Sequence, residues 1–234
     1  MASLEFLIDA PNTPVANLLL LHGAGAPMTS DFMQLLSAAL VAQDIAVYRL
    51  NFAYMRQTVA GKRTPPSRLP KLMLELADYI AAMPTDLPLW LGGKSMGARV
   101  CSHYLAGDAE VGSVGHVAAQ VQGAVAFGYP FCPPGKDVNR IEHFCKLQKP
   151  LLILQGERDA FGGPNYIEQQ QGSLQLQQLT QLSIVPLSTA CHDFVPLKRS
   201  GLEQQKIIRI AARETRKFID LQAKNVGSAS IEGL

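Results

Sequence analysis

The chain has no excess of charge of either sign: 21 lysines and arginines stand against 19 aspartates and glutamates, a formal net charge of +2. So even a balance gives no bulk electrostatic attraction to nucleic acid or to an anionic membrane surface, and neither is expected as a partner. Long hydrophobic runs are also missing. The longest, such as residues 18–21, fall far short of the roughly 20 apolar residues that cross a bilayer. The opening stretch MASLEFLIDAPN carries Glu5 and Asp9 and has no basic segment leading into a long apolar core, so it does not read as a secretory signal. Cysteine is sparse. Cys101, Cys132, Cys145 and Cys191 show no C-x-x-C spacing, which argues against a metal knuckle or a disulfide framework and for reduced thiols in the cytoplasm. No repeat or composition break divides the chain.

The sequence does have apolar segments at regular intervals: 47% of its 234 residues are hydrophobic, enough for one domain around a buried sheet. Residues 4–8 can open as a strand. Residues 15–21 are apolar but for Asn17, the kind of run that a strand buried on both faces requires, and end in His22-Gly23-Ala24-Gly25, where the chain must turn tightly. Ser30 can cap a helix with Asp31 in its first turn and Phe32, Leu35, Leu36, Ala39 and Leu40 on one face. A strand over 45–50 follows, then a polar stretch, 51–66, broken by Gly61, Pro65 and Pro66 and read as a loop. Ser67 can begin a second helix carrying Leu69, Leu72, Met73, Leu76 and Ile80 on one face, with Pro70 confined to its first turn. Further strands are predicted at 89–91, 121–127, 151–154 and 182–187. A glutamine-rich segment, 165–178, reads as a solvated helix with Ile167, Leu174 and Leu176 on its apolar stripe. Ser200 and Glu203 can form a capping box for a last helix bearing Ile207, Ile208, Ala211 and Ile219, which gives a domain over 1–224 and a loose tail over 225–234. Apolar strands alternating with amphipathic helices mean an α/β fold: a parallel sheet covered on both faces.

The stretch LWLGGKSMGARV, 89–100, carries the chemistry. Gly93, Ser95 and Gly97 form G-x-S-x-G between an apolar strand and a helix. That spacing suits a sharp turn which holds the serine in a strained conformation above the sheet, with glycine wherever a side chain would strike the neighbouring strand or helix. A serine also needs a base, a carboxylate to orient the base, and donors for an oxyanion. Ser95, Asp159 and His192 each fall just after a predicted strand, in the order Ser, Asp, His, at the end of the sheet where α/β proteins bind ligands. Glu157 rivals Asp159, whereas Asp193 adjoins the histidine too closely to orient it. Among the other histidines, His22 belongs to the glycine turn, His103 to the helix after the serine and His116 to a featureless loop; His143 could approach the pocket. Gly93-Lys94-Ser95 is not part of a phosphate loop, because the position that pattern reserves for glycine is Pro88.

With these residues the chain resembles the α/β-hydrolases, whose triad occurs in that order. Within the superfamily it is similar to the small dienelactone-hydrolase-like proteins. It is most similar there to the group related to a testis-expressed hydrolase-like protein and to a regulatory subunit of the nonspecific-lethal chromatin complex. HGAGAPMTSDFM (22–33), GGKSMGARV (92–100), GYPFCPPGK (128–136) and LQGERDAFG (154–162) carry the likeness. It implies an α/β-hydrolase fold with Ser95 as nucleophile, Asp159 as acid and His192 as base. It also implies that the backbone N–H groups of Met96 and Ala24, with Gly25 the neighbouring option, form the oxyanion hole. The activity implied is acyl transfer from a small-molecule ester through an acyl-enzyme, with neither metal nor cofactor. A non-catalytic interaction module with a protein partner is the alternative from another class, and an acyltransferase is a third. The excursion at 132–149 is too short for a cap, so an open pocket is expected, lined by Gly25, Met28, Tyr129 and Phe161 together with Phe131 and Phe194. Lys94 reads as solvated, with a preference for anionic substrates as the other option. Arg56, Lys62, Arg63 and Arg68 read as a solvated basic loop, and Cys191 as a small packing residue rather than a redox switch.

Overall fold

The computed structural model describes residues 4–107, 118–136, 138, 140–163, 166 and 179–229, with side chains up to residue 225. The glutamine-rich helix expected over 165–178 lies almost wholly outside them. Seven strands form one sheet: β1 (Leu7–Asp9), β2 (Ala16–Leu21), β3 (Ile45–Leu50), β4 (Leu89–Lys94), β5 (Val121–Phe127), β6 (Leu151–Gly156) and β7 (Leu182–Leu187). Their order across the sheet is β1-β3-β2-β4-β5-β6-β7, and every neighbouring pair is parallel except β1 with β3. Among the described residues five helices accompany them: α1 (Asp31–Val41), α2 (Ala53–Val59), α3 (Leu69–Ala81), α4 (Met96–Leu105) and α5 (Gln204–Ala229).

The central strands read as unbroken apolar runs because both of their faces are covered. Alternation along each strand sorts the side chains between two cores. Leu19, Leu21, Leu89, Leu91, Ala124, Ala126, Leu151 and Ile153 pack with α3 and α4. Leu18, Leu20, Trp90, Val125, Phe127, Leu152 and Leu154 pack with α1 and α5. Trp90 meets Phe218 of α5 edge to face, with ring centroids 5.6 Å apart.

Local reading and structure part where a tertiary contact decides. The stretch read as a loop after β3 contains α2. Its breakers, Gly61, Pro65 and Pro66, all lie beyond the helix, and its start is capped from a distance: the Ala53 N–H donates to the Glu75 carboxylate of α3 at 2.7 Å. Ser30 stands at the start of α1 but makes no capping bond, and its hydroxyl is buried without a partner. The cap position of α3 is Arg68, not Ser67, with Pro70 in the first turn as expected. Ser200 closes a short 3-10 turn, Lys198–Ser200, and donates to the Leu197 carbonyl, so no capping box forms and α5 begins at Gln204. Far from loosening at Asn225, α5 continues through Ala229. The first strand is Leu7–Asp9, starting three residues later and ending one residue later than predicted, and it closes the sheet edge antiparallel to β3. All four cysteines are free thiols. Among the described residues no helix is long and apolar enough to cross a membrane.

Candidate active site

Ser95 sits between β4 and α4 with φ 52° and ψ −107°, a left-handed conformation that a non-glycine residue rarely holds. Strain of this kind persists only where the surroundings enforce it. Here the enforcement is the close approach of α4 to β4 and β2. A Cβ on Gly93 would lie 2.3 Å from the Gly97 carbonyl carbon, and one on Gly97 would lie 2.7 Å from the Leu21 carbonyl oxygen. Met96 follows as the first helical residue, where a backbone N–H has no acceptor within the helix and the helix dipole favours negative charge.

His192 comes from the loop after β7 and Asp159 from the turn after β6. The imidazole Nδ1 lies 2.7 Å from Asp159 Oδ2, and the carboxylate side chain is fully buried. Asp159 Oδ2 also accepts from Gln155 Nε2 at 2.8 Å, and Oδ1 accepts from the Phe161 N–H at 2.8 Å. Gln155 in turn spans the site: its Oε1 accepts the Tyr129 N–H at 2.8 Å and its Nε2 donates to the Gly162 carbonyl at 2.7 Å. Gln155 is fully buried at the end of the run LLIL. Glu157, the rival acid, is occupied elsewhere, accepting from the Thr189 N–H at 2.7 Å and the Ser188 hydroxyl at 3.1 Å.

His22 fixes the glycine turn. Its Nε2 faces the Phe52 N–H at 3.2 Å and must accept, so Nδ1 carries the proton and donates to the Gly23 carbonyl at 2.6 Å. Burial lowers its pKa to about 4, which keeps this tautomer neutral. Tyr54 of α2 adds a second hold, donating to the Ala24 carbonyl at 3.0 Å while its oxygen lies 3.7 Å from Met96 Sδ. One phenol thus touches both residues whose N–H groups are candidates for the oxyanion hole. It was hidden from the sequence because α2 itself was. Tyr54→Phe is expected to lower kcat about tenfold, a fraction of the 100- to 1,000-fold cost of deleting one oxyanion donor, with a stability loss of about 1 kcal/mol. Unchanged turnover in that variant would mean the turn holds its shape without the phenol.

Ser95, His192, Ala24, Gly25, Phe161, Lys94 and Asp193 line one cavity of about 240 Å³. Ser95 Oγ and the imidazole are not hydrogen-bonded among the described residues, a spacing that substrate commonly closes. Phe161 stacks at a tilt on His192, centroids 4.5 Å apart. Of the residues expected to line the pocket, Gly25 and Phe161 do so. Tyr129, Phe131 and Phe194 are instead buried side chains of the two cores that flank the sheet. Met28 is absent from the lining; its backbone bonds to Asn51 and Arg49.

A family model described as the alpha/beta hydrolase domain matches residues 14–220. The chain belongs to the alpha/beta hydrolase family. Solved structures share the fold: an alpha-beta serine hydrolase homologue from Coxiella burnetii is 18% identical, covering 90% of this chain and 91% of its own, with a TM-score of 0.63. Dienelactone hydrolase from Anabaena variabilis is also 18% identical, covering 90% and 89% with a TM-score of 0.64. Est1E from Butyrivibrio proteoclasticus is 12% identical, covering 94% and 95% with a TM-score of 0.62. A comparison with curated proteins gives no significant match.

The alpha/beta hydrolase domain also holds a serine–histidine contact away from this cavity, between His143 and the Ser102 hydroxyl at 2.8 Å. Ser102 is fully buried within α4, where its hydroxyl donates to the Arg99 carbonyl at 3.0 Å, and it does not line the cavity. His143 stacks on His103 with centroids 3.6 Å apart, and burial lowers its pKa to about 2. Neither residue is accessible to a substrate carbonyl, so the pair is a core contact between α4 and the 3-10 turn Glu142–Lys146. Among the described residues no three His, Cys, Asp or Glu side chains gather to hold a metal ion.

Proposed function

We propose that the chain is a cytoplasmic serine hydrolase that cleaves small or exposed carboxylic esters, in the dienelactone-hydrolase-like group related to the testis-expressed hydrolase-like protein. The observation that carries this reading is the meeting, at one cavity, of a strained Ser95 and a His192 bonded to buried Asp159. His192 Nε2 takes the hydroxyl proton as Ser95 Oγ attacks the ester carbonyl. Asp159 holds Nδ1–H and steadies the imidazolium. The N–H groups of Ala24 and Met96 meet the oxyanion. The imidazolium passes its proton to the leaving alcohol, and water, activated by the same base, releases the acid and frees Ser95. The small cavity favours short acyl groups or ester carbonyls presented at the surface of a larger molecule.

A fluorophosphonate probe tests the reading. Labelling of the wild type that disappears in Ser95→Ala supports an activated nucleophile at this position. A folded wild type that resists the probe would sink the reading and favour a non-catalytic scaffold.

A further inference from the structure

Lys94 immediately precedes the nucleophile, and the chemistry above leaves it unused. The sequence alone suggests a solvated side chain, yet it is only 8% exposed. Burying an ammonium is costly unless it is paired and hydrogen-bonded, so its partners say what holds it there. Nζ donates to the main-chain carbonyl of His192 at 2.8 Å and lies 3.2 Å from Asp193 Oδ1. It also lies 5.2 Å from the centroid of the Phe32 ring. Two of these three contacts are to the loop that carries the base, 98 residues away in sequence. Gly128, at φ 73°, makes room for them. A Cβ there would lie 3.0 Å from the His192 carbonyl oxygen, 3.3 Å from His192 Nδ1 and 3.3 Å from Lys94 Nζ.

We propose that Lys94 is a positioning residue: its ammonium clamps the His192 carbonyl and the Asp193 carboxylate, and so fixes the base against the nucleophile that follows Lys94 in the chain. The proposal rests on the reading of Ser95 and His192 given under Proposed function. Other bonds of the loop shape it from within or tie it to the turn after β6 and to α5: Cys191 N–H to the Val195 carbonyl, Arg158 N–H to the Ala190 carbonyl, His192 Nδ1 to Asp159, and Gln204 Nε2 to the Asp193 carbonyl. Lys94 joins the loop directly to the strand that carries the nucleophile. The ionisable groups packed around the ammonium are Asp193 and Cys191 on the loop, His192 between them, and Asp159 after β6. Burial lowers the Lys94 pKa, against the opposing pull of Asp193. The clamp exists in the protonated form, so it opens as pH rises through a value below the usual lysine range, and activity falls on the alkaline side.

The test compares wild type, Lys94→Met and Lys94→Arg by fluorophosphonate labelling rate and by kcat and KM on a reporter ester across pH. Lys94→Met is expected to lose about 100-fold in labelling rate and kcat, the scale of a small misplacement of a catalytic group, with KM little changed. Lys94→Arg is expected to recover most of the rate and to lose the alkaline limb, because guanidinium stays charged. Should Lys94→Met not fold, Asp193→Asn carries the test. Asp193 is 65% exposed, so this variant keeps the fold, and kcat is expected to fall by up to about fivefold at constant KM. Wild-type rates and an unchanged alkaline limb in Lys94→Met, or an unchanged kcat in Asp193→Asn if that variant is needed, would overturn the clamp while Ser95-dependent labelling of wild type left the hydrolase reading standing. Absence of labelling in wild type would overturn both.

Discussion

Asp159→Asn is expected to lower kcat on a reporter ester by about 10⁴-fold, and Ser95→Ala by about 10⁶-fold, with both proteins folded. The argument for Asp159 is one of donors and acceptors. Its carboxylate is an acceptor only, and three N–H groups converge on it: His192 Nδ1 and Gln155 Nε2 at Oδ2, and the Phe161 amide at Oδ1. An asparagine must place its NH₂ toward one side or the other. Toward the first, it opposes the imidazole N–H and the glutamine amide. Toward the second, it opposes a backbone N–H that cannot move away. The cheapest relief is for His192 to shift its proton to Nε2. That nitrogen can then no longer accept from Ser95, so the base is lost although every atom stays close to its place. Circular dichroism would confirm the fold, and turnover would measure the loss. A variant retaining more than a few per cent of kcat would mean that His192 is not the base.

Gly93→Ala is expected to destabilise the protein by about 3 kcal/mol or more, the upper range for overpacking, and to lower Tm by about 6–12 °C. The new methyl would press on the Gly97 carbonyl carbon at 2.3 Å, the Ala98 nitrogen at 2.4 Å and the Gly97 oxygen at 2.5 Å. All three are backbone atoms in the first turn of α4, so no side chain can rotate aside. The helix must move off β4, and that movement also relaxes Ser95 from its positive φ. Gly25→Ala is the control for stability, since a Cβ there meets nothing within 4 Å and its Tm should stay at the wild-type value. Equal melting temperatures for Gly93→Ala and wild type would show that α4 can shift without strain.

The parts of the fold that local pattern controls were legible in the sequence. β3, β5 and β7 appear with the predicted bounds, because burial on the sheet imposes an apolar run and a turn ends it. Ser95, Asp159 and His192 were legible because each follows such a run, and sheet topology carries strand ends to one edge. What stayed hidden depends on distant partners. α2 starts on a carboxylate from α3, and Tyr54 gains meaning only once α2 exists. Gln155 looks like any polar residue after a strand until Tyr129 and Gly162 close around it. Lys94 was misread for the same reason: a lysine in sequence suggests water, and only the folded loop supplies the carbonyl and carboxylate that hold it inside.

His192 comes from the loop after β7, and α5 then packs on the first helix. Arg216 of α5 donates to the Gln43 carbonyl at 2.7 Å and meets Asp44 at 3.2 Å, both in the turn between α1 and β3. The serine turn closes on β5, whose Phe127 carbonyl accepts the Ser95 N–H at 3.4 Å, whereas the His192 loop and the helix that seats it follow much later in the sequence. Domains fold as units, so the serine turn and the base it is proposed to use reach their places together, when α5 docks on α1. Reactivity therefore belongs to the folded domain and not to its parts.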